Sequence, residues 1–153
     1  MGKKGTTIPY KSSVRLIKDG QHFFNNRGSH AIYRLEYLYI CNVVKRKSIL
    51  KGQFAESLRD LHFQLAAKFG IEIIEQQIKP DHVRIRFTAH PTLALANTLN
   101  NLKTVTSRLM FSKHPELAKS FDGHRFWARS YLLTTQGNLD TPEINAYLKS
   151  NDE

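Results

Sequence analysis

The sequence predicts an α+β fold, a ferredoxin-like split β-α-β antiparallel sheet with helices on one face and a C-terminal helix that carries a tyrosine. Three observations lead there. Two long stretches repeat apolar residues at helical spacing, two short stretches alternate around a Pro-Asp turn, and the segments follow one another as β-α-β-β-α-β-α.

Residues 1–29 hold Lys3, Lys4, Lys11, Arg15, Lys18 and Arg27 against the single acid Asp19, and read as a basic N-terminal extension. Within it "VRLIKDGQHFF" suits a small hairpin about Asp19-Gly20, and "NNRGS" suits a linker into the main domain, residues 30–153. From Ala31, "AIYRLEYLYICNVV" is rich in Ile, Tyr and Val and predicts the first strand, closed by the basic turn "KRK". Phe54, Leu58, Leu61, Leu65 and Phe69 then share one face of a helix over 53–69, with Gly70 as its left-handed stop. Strands over 71–78 and 82–89 follow, joined by the tight turn Lys79-Pro80-Asp81.

Pro91 suits the first turn of a second helix whose buried stripe is Leu95, Leu99, Leu102, Thr106 and Leu109. "RFWARSYLLTT", residues 125–135, predicts a fourth strand with Arg125, Trp127, Arg129 and Tyr131 on one side, broken by Gly137-Asn138. Asp140 and Glu143, with Pro142 between them, form a capping-box start for a short helix running to about residue 150.

At 153 residues the chain is about one domain long. The single Cys41 excludes an intramolecular disulfide framework, and the lack of a Cys-x-x-Cys pair excludes a structural zinc site. No apolar run approaches the ~20 residues of a membrane helix, and "MGKKGTTIPYKSS" lacks the apolar centre of a signal peptide. A soluble, cytoplasmic protein with no membrane partner is expected. Lys and Arg total 23 against 13 Asp and Glu, a formal charge of +10 with pI near 9.9, which is the range of phosphate-backbone binders.

The stretch "KPDHVRIRF", Lys79 to Phe87, concentrates the chemistry. As an extended strand it presents His82, Arg84 and Arg86 on one face and Val83, Ile85 and Phe87 on the other. The apolar face belongs on the core helices, and the cationic face suits phosphate. Tyr147, spaced with Ile144, Leu148 and Asn151, reads either as a functional phenol or as a core-facing aromatic. Trp127 reads as a packing residue before it reads as a base-stacking platform.

The Pro-Asp-His-hydrophobe turn at 80–83, "VVKRKSIL" after the first strand, "FWARSYLLTT" followed by Gly137-Asn138, and "INAYLKSN" at the end occur in one order. Together they resemble the IS200-like transposases of small bacterial insertion sequences, single-tyrosine enzymes of the histidine-hydrophobe-histidine class, over about residues 30–151. The resemblance implies a DNA-binding homodimer that recognises hairpins in single-stranded DNA during transposition and recombination. It implies a tyrosine that cuts and joins strands through a 5′-phosphotyrosine, aided by a divalent cation, Mg²⁺ or Mn²⁺. An i, i+2 pair on a strand aims two ligands at one point, and an i, i+4 pair on a helix brings nucleophile and third ligand to one side.

Carried over by position, His82 matches the first metal-binding histidine and Tyr147 the nucleophile. Asn151 stands where a glutamine ligand is expected and offers the same carbonyl on a shorter arm. Arg84 stands where the second histidine belongs, and a guanidinium has no lone pair for a cation and repels one. His90 lies too far along the strand to replace it, at ~26 Å from His82. The expectation is therefore strand transfer weakened by a missing metal ligand. DNA contacts are assigned to Arg84, Arg86, Lys103, Arg108, Arg125 and Arg129. The rival expectation is a noncatalytic DNA-hairpin binder derived from a transposase; an RNA-binding module of the same topology lacks its aromatic-rich strand signature here.

Overall fold

A computed structural model describes residues 26–27, 32–33, 35–121, 125–135 and 142–149. The hairpin expected in "VRLIKDGQHFF" and the capping residue Asp140 lie outside the described residues. Two short strands, β1 (Asn26–Arg27) and β2 (Ile32–Tyr33), pair antiparallel, so part of the expected linker and the start of the expected first strand fold on each other. The main sheet begins only at β3 (Glu36–Asn42). It continues with α1 (Gly52–Phe69), β4 (Ile71–Lys79), β5 (His82–Ala89), α2 (Leu95–Lys113), β6 (Leu132–Thr135) and α3 (Pro142–Lys149). Strand order is β4-β5-β3-β6 with every neighbour antiparallel, the split β-α-β arrangement.

The parity of β3 and β5 separates the two faces. Tyr39, Cys41, Val83, Ile85 and Phe87 point one way, into a core completed by Leu58, Leu61, Leu65, Leu99, Leu102 and Met110 of α1 and α2. Leu38 and Ile40 point the other way and meet Ile144, Tyr147 and Leu148 of α3. Two helices thus cover one face and the C-terminal helix covers part of the other.

Strand β4 keeps this division by a bulge. Ile71 and Ile73 face Ala89 and Phe87, but the register then shifts, so that Glu75 faces Arg86 and Gln76 faces Ile85. One extra residue turns Glu75 toward the polar face and sends Gln76 inward. Gln76 accepts there from Nδ1 of the buried His62, whose ring stacks on Trp127 with centroids 6.4 Å apart. The Trp127 indole in turn donates to Thr106 Oγ1 at 3.0 Å, which explains a threonine within the apolar stripe of α2.

Helix α2 starts later than Pro91 suggests. His90 Nδ1 accepts from the Thr92 amide at 3.1 Å and the Leu93 amide donates to the His90 carbonyl at 3.0 Å, so residues 90–93 close a turn before the helix begins. Leu99, Leu102 and Thr106 are buried as expected, joined by Thr98 and Met110, while Leu95 and Leu109 are only half-buried. The expected strand 125–135 is also divided: only Leu132–Thr135 forms a regular ladder, and Trp127 makes an isolated bridge to Val43.

Burial holds His62 neutral, its pKa lowered to about 4 against the opposing hydrogen bond to Gln76. An unfolded histidine titrates near 6.5, so between these values the unfolded chain takes up a proton that the folded one refuses. Stability is therefore unaffected by this group above the unfolded value and falls as pH drops toward the folded one, by at most roughly 3 kcal/mol. Urea midpoints measured from pH 7 down to 4.5 should decline, and His62→Gln should flatten that decline.

Candidate active site

The polar face of β5 is organised from the turn before it. Lys45 and Arg46, in a 3-10 turn after β3, both hold positive φ, at 54° and 53°. Left-handed backbone costs a non-glycine residue about 1–2 kcal/mol, and here it aims the Arg46 guanidinium at the turn Lys79-Pro80-Asp81. Arg46 Nη2 and Nε donate to one Asp81 oxygen at 2.8 and 3.1 Å, and Asp81 uses its other oxygen to accept from His82 Nδ1 at 2.8 Å. The Val43 amide donates to the Asp81 carbonyl and the Leu50 amide to the Pro80 carbonyl, both at 2.9 Å. The turn is thereby stitched to the segment after β3.

His82 is buried and its second nitrogen is engaged as well, since Arg84 Nε donates to Nε2 at 3.3 Å. The imidazole is thus the neutral tautomer with its proton on Nδ1. Burial is the main influence lowering the His82 pKa, with Arg84 and Arg46 adding to it and Asp81 opposing. Burial alone would raise the Asp81 carboxyl, but its bonds from His82 and Arg46 outweigh that and hold it below its ordinary value.

Arg86, the third member of the face, is spent internally. It donates to Glu36 at 2.9 Å and to Glu75 at 3.2 Å, a strut between β5, β3 and β4 that leaves its charge compensated. The pairing gives Arg86, one of the expected DNA contacts, a structural role.

The C-terminal helix delivers Tyr147 to this same sheet face. Between the pairs Ile40–Leu132 and Val43–Trp127, two residues of β3 stand against four of the opposite segment, so the ladder is open at residues 128–131. The phenol fills the opening. Its oxygen accepts from the Asn42 amide at 2.9 Å and donates to the Ser130 carbonyl at 3.3 Å, while the Ala128 amide donates to the Asn42 carbonyl at 2.9 Å. The ring is half-buried and packs beside Leu38 and Ile40, and Asn42 is the direct cross-strand partner of His82. Tyr39 is no rival, since it faces the main core and burial pushes its phenol well above the ordinary value.

The remaining cations assemble elsewhere. Lys103, Arg108, Arg125 and Arg129 line a groove of about 540 Å³ between α2 and residues 125–129, floored by Phe111, Phe126 and Trp127. Lys103 also ties the groove together, donating to the Ala128 and Arg129 carbonyls at 2.7 and 2.8 Å. Residues 128–130 are consequently a shared wall, with Lys103 on one side and the Tyr147 hydroxyl on the other. Trp127 is buried, a packing residue.

The residues present do not fit a divalent metal held in the manner the resemblance implies. The free lone pair of His82 is taken by a guanidinium, and Asn151 lies outside the described residues. Among the described residues, His62 and His114 are buried against Gln76 and Ser57, His90 is exposed beside Thr92, and no group of three or more His, Cys, Asp or Glu is placed to hold a metal. The motif reading singled out His82 but passed over Arg46, Asp81, Asn42 and Ser130. Asp81 was legible in the Pro-Asp-His turn; Asn42 was not, because only the β3–β5 register sets it against His82. Its Oδ1 is buried without a hydrogen-bond partner.

Comparison with known proteins gives the family of the chain. The family described as "Transposase IS200 like" matches residues 31–151. The ISDra2 transposase TnpA of Deinococcus radiodurans is 32% identical over 124 residues, covering 81% of this chain and 89% of that protein. A solved transposase-like protein of Deinococcus radiodurans R1 superimposes with a TM-score of 0.77 at 27% identity, covering 83% of this chain and 98% of that one. The REP-associated tyrosine transposase, solved bound to a REP hairpin, shares the fold with a TM-score of 0.51 at 14% identity, over 79% of this chain and 68% of its own. The chain belongs to the IS200-like transposase family.

Proposed function

We propose that this transposase-family chain binds hairpins in single-stranded DNA and that Tyr147 carries its strand-cleaving and joining chemistry, as a homodimer. One observation carries the reading: α3 brings the Tyr147 hydroxyl onto the sheet face of His82 and Arg84, bonded to the amide of the residue paired with His82. In the reaction the phenol oxygen bonds to phosphorus as the bond to the 3′ oxygen breaks. The phenol loses its proton, the 3′ oxygen gains one, and a 5′-phosphotyrosine is left. Asn42 and Ser130 hold the phenol at rest, so it must leave both partners before attacking. The groove lined by Lys103, Arg108, Arg125 and Arg129 takes the duplex phosphates of the hairpin, and the basic residues of 1–29 add nonspecific contacts.

A second reading is favoured by the commitment of both the phenol and the imidazole to internal partners: a noncatalytic hairpin binder, descended from the enzyme and lacking turnover. Incubation with hairpin oligonucleotides separates the two. The enzyme gives a denaturant-resistant protein–DNA adduct that Tyr147→Phe abolishes; the binder gives salt-sensitive binding and no adduct.

Tyr147→Phe also removes the two bonds made by the phenol in the opening of the sheet, leaving the buried Asn42 amide without that acceptor. It should cost about 1–2 kcal/mol of stability, read from a urea titration. In the groove, Arg108→Ala and Arg129→Ala should each weaken hairpin binding and lower the slope of log affinity against log salt by about one. An unchanged slope in both would remove the groove from the DNA path.

A further inference from the structure

Two guanidiniums lie side by side on β5, and their surroundings differ. Arg86 is clamped between Glu36 and Glu75, whereas Arg84 faces Ile40 on β3 and Gln77 on β4, and among the described residues no carboxylate pairs with it. Its single hydrogen bond runs from Nε to His82 Nε2. The two terminal nitrogens, four N–H donors in one plane, have no acceptor among the described residues. A half-buried cation with its fork unspent is suited to a phosphate oxygen pair.

The support behind His82 is of the kind that serves a metal-binding imidazole: a carboxylate accepts from Nδ1, fixes the tautomer and presents the other nitrogen's lone pair. Here that lone pair is presented to a guanidinium. One lone pair has one occupant, and a fixed positive charge 3.3 Å from it repels a second cation.

We infer that Arg84 stands in the place of a divalent cation: held by His82, which is held by Asp81 and Arg46, it offers its terminal nitrogens to a nonbridging oxygen of the DNA phosphate and closes His82 to metal. Arg46, Asp81 and His82 are then positioning residues for Arg84. The phosphate contact rests on the DNA reading above; the closing of His82 to metal does not.

The test has two arms on the full chain. In the first, Mn²⁺ alone is titrated and its binding followed by electron paramagnetic resonance. The wild type should show no tight site, and Arg84→His should gain one per chain. A tight wild-type site lost in His82→Gln would overturn the inference, as would an Arg84→His chain that gains none.

In the second arm, a hairpin oligonucleotide with a single-stranded flank is bound with and without EDTA. Wild-type affinity should be indifferent to EDTA. Arg84→Gln should weaken binding about tenfold and reduce the salt slope by about one, and Arg84→Lys should keep the slope yet bind more weakly than wild type. Wild-type affinity and slope in Arg84→Gln would overturn the phosphate contact. A wild type that binds no oligonucleotide would overturn the DNA reading and the phosphate contact with it, while the Mn²⁺ arm still decides whether His82 is closed to metal.

Discussion

The pairing of β3 with β5 is the constraint on which the rest depends. Its register sets Tyr39, Cys41, Val83, Ile85 and Phe87 against two helices, and in the same stroke sets Asn42 beside His82 and Ile40 beside Arg84 on the opposite face. Strand side chains alternate with period two, so a slip of one residue would drive Arg84 and His82 into the apolar core and expose Ile85 and Phe87. The cost of burying a guanidinium and a polar imidazole in apolar surroundings makes the register unambiguous. Chemistry on one face is thus secured by packing on the other.

Much of this fold was legible because its elements announce themselves locally. The period of α1, its Gly70 stop, and the alternation of β5 about the Pro-Asp turn involve neighbours in sequence, and each lies within a residue or so of its expected bounds. The elements that differed are those decided at a distance. Residues 125–131 have strand composition, yet Tyr147 supplies the bonds that a regular ladder would have made there. The start of α2 was misplaced because a histidine side chain, not proline, closes the preceding turn.

The site divides in the same way. Motif position pointed to His82, Arg84 and Tyr147, which share one sheet face, and charge pointed to the lysine and arginines that line the groove. What neither could supply was partnership: Arg86 and Arg84 look alike in sequence, and it is Glu36 on β3, fifty residues away, together with Glu75 on β4, that distinguishes a strut from an available fork. Asn42 and Ser130 matter through backbone atoms, which residue type does not encode. The groove and the sheet face of Tyr147 meet at residues 128–130. The Lys103 ammonium and the Tyr147 phenol hydrogen-bond to carbonyls of the same few peptide groups.

The bulge in β4 has a consequence for how this chain can vary. Straightening that strand without removing the extra residue would restore a regular ladder and exchange the orientations beyond it: Glu75 would pair with Ile85 and turn toward the hydrophobic interior, and Gln76 would turn toward the polar face. His62 would lose its acceptor and Arg86 one of its two carboxylates together. One extra residue in an outer strand thus acts as a parity bit for every side chain that follows it in that strand.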